Sequence, residues 1–163
     1  MERKLELKDI CGYLPYGLKR IYLEEIFFGT ITKYDNVSFN GNKTIYRNYK
    51  PILRPITDLY HQITHNGKEL VPICEMAKMV CDFNWVIGTD EFGNKCAVYR
   101  EYGSKDTFGF KIGSFYKSDY SQNIVPYQYQ LFDYLHELKV DYRGLIDSGL
   151  AVSVYDFPEN PYK

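Results

Sequence analysis

A chain of 163 residues that is 45% hydrophobic and 25% charged is sized and composed for one globular domain, one that at this length buries roughly 70% of the surface its unfolded form exposes. The composition excludes disorder. Apolar runs such as Trp85 to Ile87 and Ile26 to Phe28 fall far short of the roughly 20 residues a membrane-spanning helix needs, and a net charge of −1 gives no global pull toward polyanions.

The opening MERKLELKDICGYL spreads charges through its length without an apolar stretch, so it does not read as a secretory signal, and cytoplasmic expression is expected. Leu5 to Leu14 reads as a short helix ended by Pro15 and Gly17. Leu18 to Leu23 and Ile26 to Lys33 are rich in β-branched and aromatic residues. Val37 to Phe39 and Lys43 to Tyr49 then flank Asn40-Gly41-Asn42, a hairpin signal. In YKPILRPITDL two prolines four apart predict a rigid extended crossing. Thr57 offers a helix cap, with Leu59 and Ile63 on one face before Asn66 and Gly67, so a short helix is expected there.

The clearest helix starts at Pro72, with Ile73, Met76, Ala77, Val80 and Cys81 forming its core-facing stripe. Strands are expected at Trp85 to Ile87, Lys95 to Glu101 and Thr107 to Phe115, separated by the turn-rich TDEFGN and YGSKD. Pro126 opens a third helix to about Lys139, with Tyr127, Leu131, Tyr134, Leu135 and Leu138 on one face. A helical turn at Arg143 to Ser148 stops at Gly149, a strand follows over Leu150 to Val154, and DFPENPYK reads as a loose tail. The fold class is therefore α+β, a mostly antiparallel sheet with about three short to medium helices packed on it. One domain is expected over 1–155, with a tail over 156–163.

Motifs for chemistry are few. Cys11, Cys74, Cys81 and Cys96 form no CxxC pair and read as thiols, with Cys74 and Cys81 two helical turns apart in apolar packing. His61 and His65, four apart on the expected helix, have the spacing of a zinc-hydrolase pair, but Gln62 stands where the glutamate belongs, and a solvated face is the plainer reading. His136 has no partner assignable from spacing. Asp90 and Glu91 fall in a turn, where acidic residues serve the turn itself. Neither GxxxxGK nor a GxGxxG between strand and helix occurs, so no phosphate cradle and no cofactor is expected.

Two features bear on binding. Lys43, Arg47, Lys50 and Arg54 interleave with Tyr46 and Tyr49, mixing phosphate contacts with rings able to stack on bases. TFGFKI at Thr107 to Ile112 shares an FGF core with the stacking strand of RNA-recognition motifs. It departs at Thr107 and Lys111, and LVPIC supplies no second stacking aromatic. The 17 tyrosines suit a contact surface, although the surplus of residues with AT-rich codons explains them as genome bias.

LPYGLK at 14–19, KPILRPITDL at 50–59 and YRGLIDSGLAVSV at 142–154 resemble an uncharacterised family of small proteins encoded in phages and prophages of anaerobic gut bacteria. The resemblance implies a mobile-element context and expression in a bacterial host's cytoplasm, and it transfers no activity. The leading expectation is a non-enzymatic accessory protein acting on a phage or host protein through surface contacts, with no membrane association. The alternative is a nucleic-acid-binding module using the 43–54 segment.

Overall fold

The computed structural model describes residues 3–22, 35–36, 49–101, 104–111, 113–118 and 125–162. Among the described residues, three helices and mostly antiparallel strands make an α+β fold. The chain divides into two compact units: Met1–Ile56 with Leu135–Lys163, and the continuous stretch Thr57–Tyr134 between them.

The first unit opens with helix α1 (Leu7–Ile10), where the Asp9 carboxylate accepts the Glu6 N–H at 3.0 Å and the Arg3 guanidinium at 2.8 Å. A 3-10 stretch over Cys11–Tyr16 continues it through Pro15 and stops at Gly17, whose φ of 69° is a left-handed conformation that glycine adopts without strain. Strand β1 (Lys19–Tyr22) pairs antiparallel with β2 (Asp35–Asn36) and with β3 (Tyr49–Leu53). The crossing expected for KPILRP is an inner strand of its sheet. Its other neighbour, β10 (Val152–Ser153), runs parallel to it, giving the order β10-β3-β1-β2. The Asn40-Gly41 hairpin and most of the strands around it lie outside the described residues.

Both faces of β3 are buried. Tyr49 and Leu53 join Ile10, Tyr13, Leu18, Leu145 and Ala151 in one core, while Ile52 joins Ile21, Val154 and Phe157 in another. The second core accounts for a correction. The stretch expected to hang loose covers that face: Phe157 is buried, and the Tyr162 hydroxyl accepts the Lys19 N–H and donates to the Ile52 carbonyl, both at 2.8 Å. Alternating apolar residues in β3 leave two faces to cover, and Val154, Phe157 and Tyr162 supply the second cover. On the other side, the Asp141 carboxylate accepts the N–H groups of Leu145 and Ile146, starting the turns that lead to Gly149.

The second unit contains hairpin β4 (Ile63–His65)–β5 (Lys68–Leu70), helix α2 (Pro72–Val80) and a four-stranded antiparallel meander. Its strands are β6 (Val86–Thr89), β7 (Lys95–Glu101), β8 (Ser104–Lys111) and β9 (Ser114–Ser118). Helix α2 buries Pro72, Ile73, Cys74, Met76 and Ala77, matching most of the stripe read from spacing. Three expectations fail here. Only the 3-10 turn Ile56–Tyr60 stands where a helix was expected to run to residue 65. Asn66 and Gly67, at φ 50° and 74°, instead form the two-residue loop of a hairpin. The expected strand Thr107–Phe115 is broken by Gly113 at φ 73° into β8 and β9. Helix α3 (Gln128–Glu137) begins after Tyr127, which is exposed at φ 61° rather than on the buried face; Leu131 and Leu135 hold that face as expected. Residues of α3 up to Tyr134 count with the second unit and later ones with the first.

Candidate functional site

The meander ends on one side at β6, which among the described residues pairs only with β7. Val86, Ile87, Gly88 and Thr89 carry no charge, and Val86 is 61% and Ile87 39% exposed. Phe83 precedes the strand and Phe92 sits at the tip of the following turn, 41% and 79% exposed. Natural sheet edges are commonly blunted by charge, proline or a bulge, so an uncharged edge with apolar side chains is a ready template for another strand.

Neighbouring groups hold this edge rigid. Phe83 stacks on Tyr99 with ring centroids 4.3 Å apart, and the Trp85 indole N–H donates to the Cys81 carbonyl at the end of α2. Trp85 meets Phe108 edge-on, Phe108 stacks on Phe115, and Phe132 of α3 closes over Phe110 and Phe115. At the far end, Asp90 organises the turn: its carboxylate accepts the N–H groups of Phe92 and Asn94, the Asn94 amide and the Tyr116 hydroxyl. Burial pushes that carboxyl up. The hydrogen bonds from Asn94, Tyr116 and Phe92 together outweigh it and hold the group below the ordinary carboxylate range. Asp90 thus serves the turn, as its position suggested, and the Tyr116 phenol is pushed up by burial and by Asp90.

The remaining residues singled out by sequence sit elsewhere. Cys74 and Cys96 are buried, and burial pushes both thiols up to about 11, away from the thiolate that nucleophilic chemistry requires. His61 and His65 are not on a common helix: His61 Nε2 accepts from the Lys95 ammonium at 3.1 Å, and His65 Nε2 lies 3.1 Å from the Asn66 amide. Among the described residues no group of three His, Cys, Asp or Glu is placed to hold a metal ion, and no helix is long and apolar enough to cross a membrane.

Lys43, Tyr46 and Arg47 lie outside the described residues. Tyr49 and Arg54 are buried and Lys50 is half-buried, so the first two offer no outward face for a base or a phosphate. Of the described residues, Tyr49 makes its cation contact within the fold. The Arg20 guanidinium lies 5.0 Å from the Tyr49 ring centroid and 5.1 Å from that of Tyr22. Phe108 of the FGF strand is likewise fully buried.

His136 has partners that spacing did not reveal. Its ring lies edge-on to Tyr13 at 4.8 Å, its Nε2 is 2.9 Å from the Tyr142 hydroxyl, and that hydroxyl also accepts from Arg143 Nε at 3.0 Å. Gly12 makes room, since a Cβ there would fall 2.4 Å from the imidazole. No neighbour in sequence signals this arrangement. The β6 edge has a signal, an uncharged VIGT leading into the turn-rich stretch at 89–94.

Compared with known protein families, curated proteins and solved structures, the chain matches none of them.

Proposed function

We propose that the chain is a non-enzymatic accessory protein of phage or prophage origin that works through protein contacts made at the β6 edge. The phage context rests on the resemblance carried by KPILRPITDL and YRGLIDSGLAVSV. The observation that carries the contact reading is the uncharged, exposed strand β6 flanked by Phe83 and Phe92. Strand addition at such an edge draws affinity from main-chain hydrogen bonds and selectivity from alternate side chains. The internal roles of Tyr49, Arg54, His136, Cys74 and Cys96 favour it further, because each is engaged in the folded core rather than presented to a small substrate or a nucleic acid.

A photo-cross-linking side chain at position 87, in protein expressed in a bacterial host, tests the reading. Protein adducts are expected from position 87 and not from the exposed Ser148, and their absence from position 87 sinks it. Titration with labelled single- and double-stranded DNA and RNA is expected to give no binding even at low salt, where phosphate contacts are strongest. Binding under those conditions would overturn the reading in favour of a nucleic-acid-binding module.

A further inference from the structure

We infer that β6 pairs antiparallel with β6 of a second copy of this chain, about a two-fold axis at Ile87. The inference rests on the reading of this edge as the contact surface and names its occupant.

The argument starts from which backbone groups face outward. Asp90 N–H donates to the Asn94 carbonyl at 2.9 Å, which makes 90 and 94 a hydrogen-bonded pair at the mouth of the turn. Pairing alternates along an antiparallel ladder, so residues 88 and 86 turn their N–H and C=O toward β7, and 89, 87 and 85 turn theirs outward. Two outward groups are occupied: the Thr89 carbonyl accepts from Lys105 Nζ at 2.8 Å, and the Trp85 N–H donates to the Phe83 carbonyl at 3.0 Å. Among the described residues this leaves four outward groups, the Thr89 N–H and the Trp85 carbonyl toward the two ends, which the same register sets against each other, and at the centre of the edge the donor and the acceptor of Ile87 side by side. A two-fold antiparallel pairing satisfies both, each Ile87 N–H meeting the other copy's Ile87 carbonyl.

Side chains agree with that register. It sets Ile87 against Ile87 on one face. On the other it sets Val86 against Gly88, which has no side chain and is covered by its own Val98, whose Cγ2 lies 2.6 Å from where a Cβ would stand. No charged residue lies in β6, and extending the register sets Asp90 beside Asn84 rather than beside a carboxylate. The edge therefore meets its own requirements for hydrogen bonds, shape and charge.

The exposed fractions of Phe83, Val86, Ile87 and Phe92, with about 200 Å² for a large side chain, bring the covered area to roughly 800 Å² over both copies. With all four fully covered, that area is still below the roughly 1,200 Å² of stable specific interfaces and in the range of transient encounters, so the pairing is a weak, reversible one that fills only with concentration.

Sedimentation equilibrium of the intact protein and of Ile87→Lys, both checked for native circular dichroism, tests this. The mass of the unsubstituted protein is expected to rise from monomer toward dimer between about 10 μM and 1 mM, and that of Ile87→Lys to stay monomeric. A geometric measurement accompanies it. In a Cys11→Ser background, Ile87→Cys is expected to form an intermolecular disulfide at least tenfold faster than Lys68→Cys, since opposed residues of a hydrogen-bonded pair stand about 5.5 Å apart at Cα. A protein monomeric throughout, or an Ile87→Lys variant that dimerises equally, overturns the pairing. If the protein is monomeric yet position 87 cross-links to a different protein, the pairing falls and the contact reading stands. If position 87 cross-links to nothing, both fall.

Discussion

Gly12 and His136 show how much a single side chain can decide in this molecule. The imidazole occupies the space over Gly12, with Tyr13 and Tyr142 on its other sides, so Gly12→Ala forces the ring out of its contacts. A loss of about 1–3 kcal/mol is expected, the usual cost of overpacking. Chemical denaturation should record it, and Gly12→Ala combined with His136→Ala should recover part of it. Thr107 offers the opposite case. Among the described residues its hydroxyl, buried in β8, has no hydrogen-bond partner, so Thr107→Val is expected to raise stability by about 1 kcal/mol. The thiols separate by exposure. Alkylation of the native protein at pH 8 should reach the exposed Cys11 first, while Cys74 and Cys96 react only on unfolding, their buried thiols lying up near 11. At this scale the sequence was partly legible. Burial of Cys74 matches the reading from helical spacing, whereas Cys81, paired with it in that reading, lies past the helix end and is half-buried; the partners of His136 and the stacking of Arg20 on Tyr49 depend on contacts between distant segments, which no local pattern encodes.

Elements were legible where one periodicity ran without competition. Helix α2 and strand β7 follow their patterns, and both have a proline or a turn at the boundary to fix the register. Misreadings cluster at glycines, because a glycine at positive φ can end a helix or reverse a strand. Gly67 has the pattern of a helix stop but is half of a hairpin loop, and Gly113 has the pattern of a strand residue but turns the strand. Gly67→Ala at φ 74° is accordingly expected to cost about 1–2 kcal/mol in thermal unfolding, the penalty of a left-handed backbone for an L side chain.

The Asp90 turn adds a pH dependence to the element scale. Since the folded carboxyl lies below its unfolded value, its stabilisation is complete above the ordinary carboxylate range and disappears as pH falls through the folded value. Asp90→Asn should therefore flatten the acid limb of a stability-against-pH profile. An unchanged limb would place the acid sensitivity elsewhere.

For the whole molecule, the α+β class and the antiparallel majority could be read from composition and spacing, whereas the division into two units could not. Nothing in the sequence around residues 56 and 135 resembles a linker, because an element runs through each boundary: the 3-10 turn Ile56–Tyr60 at one and α3 at the other. The segment 57–134 holds its hairpin, α2 and the meander's described pairings within itself, so as an isolated fragment it is expected to give native-like circular dichroism and cooperative melting. The first unit has no such independence. Tyr162→Phe, which leaves the Lys19 N–H and the Ile52 carbonyl without their shared hydroxyl, is expected to lower its stability by about 1–3 kcal/mol.

The anchoring of Tyr162 on Lys19 and Ile52 also imposes an order on biosynthesis. Residues 57–134 leave the ribosome complete while β1 and β3 still wait for β10 and for the cover that Val154, Phe157 and Tyr162 provide. The unit that begins first in translation is thus the one that closes last. During that interval Ile21 of β1 and Ile52 of β3 lack their cover, and such exposed apolar surface is what a chaperone shields.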